Sequence, residues 1–199
     1  TGFTGWTIFG AFTSVVRMQA LTILINQFFS PVVAAARTIA LQVNNALNVF
    51  SSNFNTGLYV PIVKEYAARN KKGMFSLIFS GCKITFFLMW IFALPLCLRM
   101  EYVLTLWLNN LPEYVVIFTQ LAIIESLINS ISYPISTAAR APGKMGLYEG
   151  ILGSLQLVIF ISSWIWIEFF DGTPFTVFYM GIIINVVMFF VRLIIVNKL

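Results

Sequence analysis

Four ionisable residues stand inside apolar stretches of this sequence: Arg17, Arg37, Lys83 and Glu125. At the centre of a bilayer such a group costs roughly 2.5–3.5 kcal/mol on insertion scales, so each needs a partner, a cavity or a route to the headgroups. Arg17 lies about eleven residues into its stretch, with Thr13 one turn away on the same face. Two roles are open to it: lining a cavity that binds substrate, or holding helices together as an ion pair, most simply with Glu125. Both keep it away from lipid. Arg37 stands near the start of the next stretch, where it either lines the same cavity or snorkels to the outer interface. Two arginines facing one cavity would form a cationic site. A guanidinium matches phosphate oxygens bidentately, and a charge pair at about 4 Å is worth ~4 kcal/mol at an effective dielectric near 20. A diphosphate group suits such a site.

The stretch that holds Arg37 also places Thr38, Gln42, Asn45, Asn48, Ser52 and Asn55 at helical spacing, with Ile39, Val43, Leu47, Phe50 and Phe54 on the other face. Neutral amides and hydroxyls in this pattern can bind the hydroxyls of a sugar, or bond to neighbouring helices. Glu125 shares a helical face with Asn129, Ser132 and Ser136. A buried carboxylate of this kind can take up a proton and couple movement to a gradient, or simply pair with Arg17. Lys83 lies about ten residues beyond a basic segment, within reach of the headgroups by snorkelling.

Other chemistry has little to build on. The chain has no His, no Gly-x-Ser-x-Gly, no P-loop and no Asp-rich cluster, and its two cysteines, Cys82 and Cys97, fall about four turns apart in one helix. No catalytic residue, cofactor or metal is expected.

The elements that position these residues follow from composition. Of 199 residues, 59% are hydrophobic and 10% charged, with mean hydropathy +0.90, against about 25% charged in an ordinary soluble domain. Helices needing about 20 apolar residues each to cross a bilayer use up nearly the whole length. The sequence predicts an all-α membrane protein, a single transmembrane domain over 1–199 with six spans near 6–29, 33–60, 74–98, 114–138, 147–169 and 175–196. Pro61 is expected to help end the second span before a polar loop, Lys64 to Gly73, and Pro134 to kink or break the fourth. A Trp- and Leu-rich segment, Leu104 to Pro112, is too short to span and suits the interface.

Loop charge gives an orientation, because cytoplasmic loops retain Lys and Arg. Lys64, Arg69, Lys71 and Lys72 fall in one loop, Arg140 and Lys144 in another, and Arg192 and Lys198 near the C-terminus. Arg99 faces Glu101 and Glu113 on the opposite side, where Glu168 and Asp171 also lie. Both ends of the chain are therefore expected in the cytoplasm. The net charge of +5 reads as loop charge rather than as a nucleic-acid surface, since it forms no single stripe. The chain starts at Thr1 and enters an apolar segment almost at once, so a preceding portion is expected to be missing.

Several strings, in order, carry a resemblance. They are Thr4-Gly-Trp-Thr-Ile-Phe-Gly10, Val16-Arg-Met-Gln19, the run from Phe28 to Val43 that contains Ala35-Ala36-Arg37, Phe50-Ser-Ser-Asn-Phe-Asn55, Leu106-Trp-Leu108 with Pro112-Glu-Tyr114, and Ser132-Tyr-Pro134. Together they resemble the polysaccharide (O-antigen-type) flippases of the superfamily that includes multidrug exporters and lipid II flippases. The match is to the second six helices of a twelve-helix, MATE-like protein. Ala34 stands where that pattern has Asn, and Pro61-Ile-Val63 where it has Pro-Gln-Ile. The resemblance implies movement of a polyprenyl-diphosphate-linked oligosaccharide across a bacterial inner membrane by alternating access, with an N-terminal six-helix half as partner. It carries the family's cationic cavity to Arg17 and Arg37. A cation-coupled multidrug exporter and a membrane-embedded glycosyl- or acyltransferase are the other readings.

Overall fold

The computed structural model describes residues 2–143 and 145–198 and contains seven helices there and no strand. They are α1 (Gly2–Phe28), α2 (Pro31–Ala67), α3 (Lys71–Leu98), α4 (Met100–Trp107), α5 (Val115–Arg140), α6 (Met145–Phe169) and α7 (Thr176–Asn197). Lys144, one of the loop cations, lies outside the described residues.

The first boundary shows how local sequence sets the hairpins. Ser30 is extended and its Oγ accepts from the Val33 amide at 3.3 Å, while Pro31 opens α2 where its missing N–H has no helical partner to lose. The expected loop from Lys64 to Gly73 is mostly helix. Only Ala68, Arg69 and Asn70 separate α2 from α3; Arg69 turns the chain at φ 55°, and Asn70 caps α3 by accepting from the Gly73 amide at 3.1 Å.

Both prolines expected to interrupt helices sit inside them. α2 runs past Pro61 to Ala67, and α5 runs unbroken through Pro134. Each proline removes one N–H, and packing on both sides of the residue outweighs that loss. Pro134 is buried against Gly81 of α3, where an added Cβ would come within 3.3 Å of its ring.

Five helices are long and apolar enough to cross a membrane: α1 from Gly5, α3, α5, α6 from Tyr148, and α7. This fits a multi-pass membrane protein. α2 is not among them although its 37 residues extend ~55 Å at 1.5 Å each. Its Asn, Gln, Ser and Thr residues lower its hydropathy, so the expected count of six falls to five by length and composition. The segment expected at the interface, Leu104 to Pro112, is helical only through Trp107, as the end of the short α4, in which Met100 and Leu104 are buried while Glu101, Tyr102, Leu106 and Trp107 are exposed.

α5 is the central element, packed against α2, α3 and α7. It runs parallel to α2, since Asn44 meets Ala122, Asn48 meets Ser126 and Asn55 meets Thr137. It also runs parallel to α7, with Phe118 edge-on to Phe175 and tilted against Phe178 at one end and Glu125 meeting Asn185 further along. α3 is antiparallel to it, Cys82 lying at Ile131 and Cys97 at Gln120. α1 packs on α6 in parallel. Gly146, Gly150 and Gly153 form a small-residue stripe that admits Trp6 and Phe9, so the two backbones approach closely.

Candidate functional site

Arg17 of α1, Arg37 of α2 and Glu125 of α5 line one cavity of about 180 Å³ between these helices and α7. Asn44, Asn45 and Asn48 of α2 form one wall; Asn129 and Tyr133 of α5 and Gly181 of α7 form others. That volume is below the roughly 300–1,000 Å³ of pockets that enclose a whole small molecule.

The two arginines are held differently. Arg37 is only 3% exposed, and its Nη1 donates to the Met18 carbonyl at 3.4 Å and to the Thr22 hydroxyl. These acceptors exist because the end of α1 folds back antiparallel along α2 through the Ser30–Pro31 junction. Its side chain points inward, so of the two roles open to Arg37 the outward, snorkelling one does not occur. Arg17 lies 3.7 Å from Glu125, nitrogen to oxygen. That is an ion pair, longer than a hydrogen bond. The better partner of Glu125 is Asn185, whose amide donates to Oε1 at 2.6 Å.

Five buried side-chain nitrogen or oxygen atoms among the described residues have no hydrogen-bond partner. Three belong to this cavity: Nε of Arg17, Nε of Arg37 and Oδ1 of Asn48. Buried donors are normally satisfied, so two buried guanidinium N–H groups without an acceptor, on residues that line one cavity, are unfilled donor capacity. With Glu125 ionised the three charged groups sum to about +1, an environment that favours an anion.

The polar face of α2 divides in two. Asn48 donates to Ser126 at 3.1 Å and to Asn44, and Asn55 donates to Thr137 at 3.2 Å, so these two join α2 to α5. Gln42, Asn45 and Ser52 are exposed, in one line with Thr38 and Thr56. Of that exposed set, Asn45 lines the cavity. On α5, Glu125 and Asn129 reach the cavity. Ser132 instead bonds the Ile128 carbonyl at 3.3 Å, and Ser136 meets the Tyr148 hydroxyl at 2.5 Å. Thr13 turns from Arg17 to the Gly10 carbonyl at 3.0 Å, and Lys83 is exposed.

Sequence reasoning missed Asn44, Asn185 and Glu149. Asn44 is buried and donates to the Ala122 carbonyl at 2.8 Å. Asn185 stands alone in the apolar run Gly181-Ile-Ile-Ile-Asn-Val-Val187, a signal available in the sequence. Glu149 is buried and pairs with Arg140 at 3.0 Å, beside Gly10, whose lack of a side chain leaves room for the carboxylate. No group of three or more metal-ligating side chains occurs among the described residues. Comparison of the chain with family models, with curated proteins and with solved structures finds no match.

Proposed function

We propose that this chain is one half, with six crossings, of a twelve-helix MATE-like flippase. Its cargo is a polyprenyl-diphosphate-linked oligosaccharide, moved across a bacterial inner membrane by alternating access. No bond of the cargo is made or broken. The observation that carries this reading is the pair of arginines lining one small cavity, each with a buried Nε donor that has no acceptor. A diphosphate is a small group of concentrated negative charge rich in acceptors, and a guanidinium recognises it with paired donors.

The other parts of the cargo follow from the same geometry. The cavity is too small for a glycan, but the line Thr38, Gln42, Asn45, Ser52 and Thr56 continues from Asn45 along the exposed side of α2. Amides and hydroxyls exposed along a helix within the membrane call for water, a polar ligand or a partner. The N-terminal half would close over this face, and the glycan would travel between the halves. α2 is counted as the sixth crossing because it accompanies α5 in parallel over the spanning length of that helix. The alternation of six crossings puts both ends of the chain on the side of the basic loops, the cytoplasm. A net positive cavity disfavours the multidrug-exporter reading, since a lipophilic cation would be repelled.

The test is Arg17→Ala in the complete transporter, followed by outward movement of glycan-lipid in cells. Movement is lost while membrane insertion, scored by protease accessibility of the loops, stays normal. Unchanged translocation would sink the role assigned to Arg17.

A further inference from the structure

A second recess lies on the outer surface of the bundle, away from the arginine cavity. It is a groove of about 340 Å³ between α3, α5 and α7, lined by Phe75, Phe79, Cys82, Ile135, Ile194 and Asn197 among others. Its walls are apolar except at the Asn197 end. Phe79 and Ile194 stand more than half exposed at its rim, so the groove opens outward rather than into the bundle.

Three lysines stand beside lining residues of the polar end of the groove in sequence. Lys198 follows Asn197 directly, and Lys71 and Lys72 lie one turn before Phe75 in the first turn of α3; all three are exposed. Among the described residues none of them has an acidic partner within ion-pair distance. The nearest acid in sequence, Glu65, accepts from Asn70 Nδ2 at 2.6 Å. The first turn of α3 adds backbone N–H groups of the same sign. An apolar slot whose polar end adjoins, in sequence, three exposed lysines with no acidic partner among the described residues is complementary to a molecule with a hydrocarbon chain and a phosphate head.

We propose that this groove is a binding site for an anionic glycerophospholipid. One acyl chain lies along Phe79, Cys82 and Ile135, and the phosphate rests among Lys71, Lys72 and Lys198. It belongs to the leaflet that meets the α2–α3 turn. The site is separate from the cargo cavity and does not depend on the transport reading. It would fix α3 against α7 at the end where these two helices stand apart around the groove.

The experiment is native mass spectrometry of the purified full chain in mild detergent, titrated with dioleoylphosphatidylglycerol or dioleoylphosphatidylcholine. The account expects the anionic lipid to be retained roughly a hundredfold more strongly. Lys71→Gln, Lys72→Gln and Lys198→Gln together bring it down to the zwitterionic level, at roughly fivefold per lysine. Ile194→Trp, which fills the groove from its rim, lowers retention of phosphatidylglycerol with the lysines intact. Arg17→Ala leaves retention unchanged, which separates this site from the cavity. Equal retention of the two lipids, or no loss in the triple lysine variant, would overturn the proposal. Loss in the lysine variant but not in Ile194→Trp would reduce the effect to surface attraction and overturn the groove. Should Ile194→Trp fail to fold, a shorter-chain lipid series replaces it: retention that does not depend on chain length contradicts the groove.

Discussion

Replacing Glu125 by Gln separates a purely structural ion pair from an anion site, because the two accounts predict opposite signs. In a structural pair, removing the carboxylate leaves Arg17 uncompensated and weakens whatever the pair holds together. In an anion site, Glu125 competes with the ligand for Arg17. Its Oε1 lies 3.7 Å from the guanidinium. An anion docked on the open side of Arg17 would lie about 6 Å from that carboxylate, where two unit charges repel by roughly 2–3 kcal/mol at an effective dielectric near 20. Both side chains are less than a fifth exposed, so solvent screening removes only part of this. About 1.5–2.5 kcal/mol per ligand charge is kept, a gain in affinity of roughly tenfold to seventyfold. Gln retains an oxygen that can accept from Asn185, which limits the structural disturbance. The assay is a calorimetric titration of inorganic pyrophosphate onto the purified full chain in detergent, wild type against Glu125→Gln. Tighter binding is expected; unchanged or weaker binding by a variant that melts normally would refute the reasoning.

Other predictions concern packing. Gly10→Ala puts a Cβ 2.1 Å from Glu149 Oε2, so the carboxylate must move and the 3.0 Å pair with Arg140 is strained; a loss of about 1–3 kcal/mol is expected, read as a lower melting temperature in detergent. Asn44→Ala removes the bond to the Ala122 carbonyl and one of the two acceptors of Asn48; interhelical bonds in membranes average about 0.6 and reach about 1.7 kcal/mol, so a loss near the upper figure is expected in unfolding titrations, and none at all would contradict the joining role given to Asn44. Gly153→Leu fills the notch that Phe9 enters at 2.8 Å from an added Cβ and should separate α1 from α6, seen as weaker cross-linking between cysteines placed at Trp6 and Gly150.

The sequence made some of this legible for a definite reason. A charge in an apolar run has few outlets, so Arg17, Arg37 and Glu125 announced themselves, and all three line one cavity. What it left open was direction. Gln42, Asn45, Asn48, Ser52 and Asn55 lie on one broad polar arc, yet a fraction of a turn decides whether a side chain bonds to α5, like Asn48 and Asn55, or stays exposed, like Gln42 and Ser52. Pairing partners were hidden for the same reason: Asn185 completes Glu125 from sixty residues away. Pro61 misled because a local cost says nothing of the packing around it, and α2 continues to Ala67; Pro134, buried on Gly81, does not break α5. Glu149 was overlooked near a helix start, where a carboxylate ordinarily reaches water. The gap beside Gly10 draws it into the bundle instead.

The central claim is that the arginine cavity recognises a diphosphate carried on a lipid. Equilibrium binding of farnesyl diphosphate and of farnesol to the purified full chain tests it most directly, with wild type, Arg17→Ala and Arg37→Ala side by side. The account predicts that the diphosphate binds at least a hundredfold more tightly than the alcohol in the wild type, and that Arg17→Ala removes most of this preference. Equal binding of the two, or a preference that survives the loss of both arginines, would contradict it.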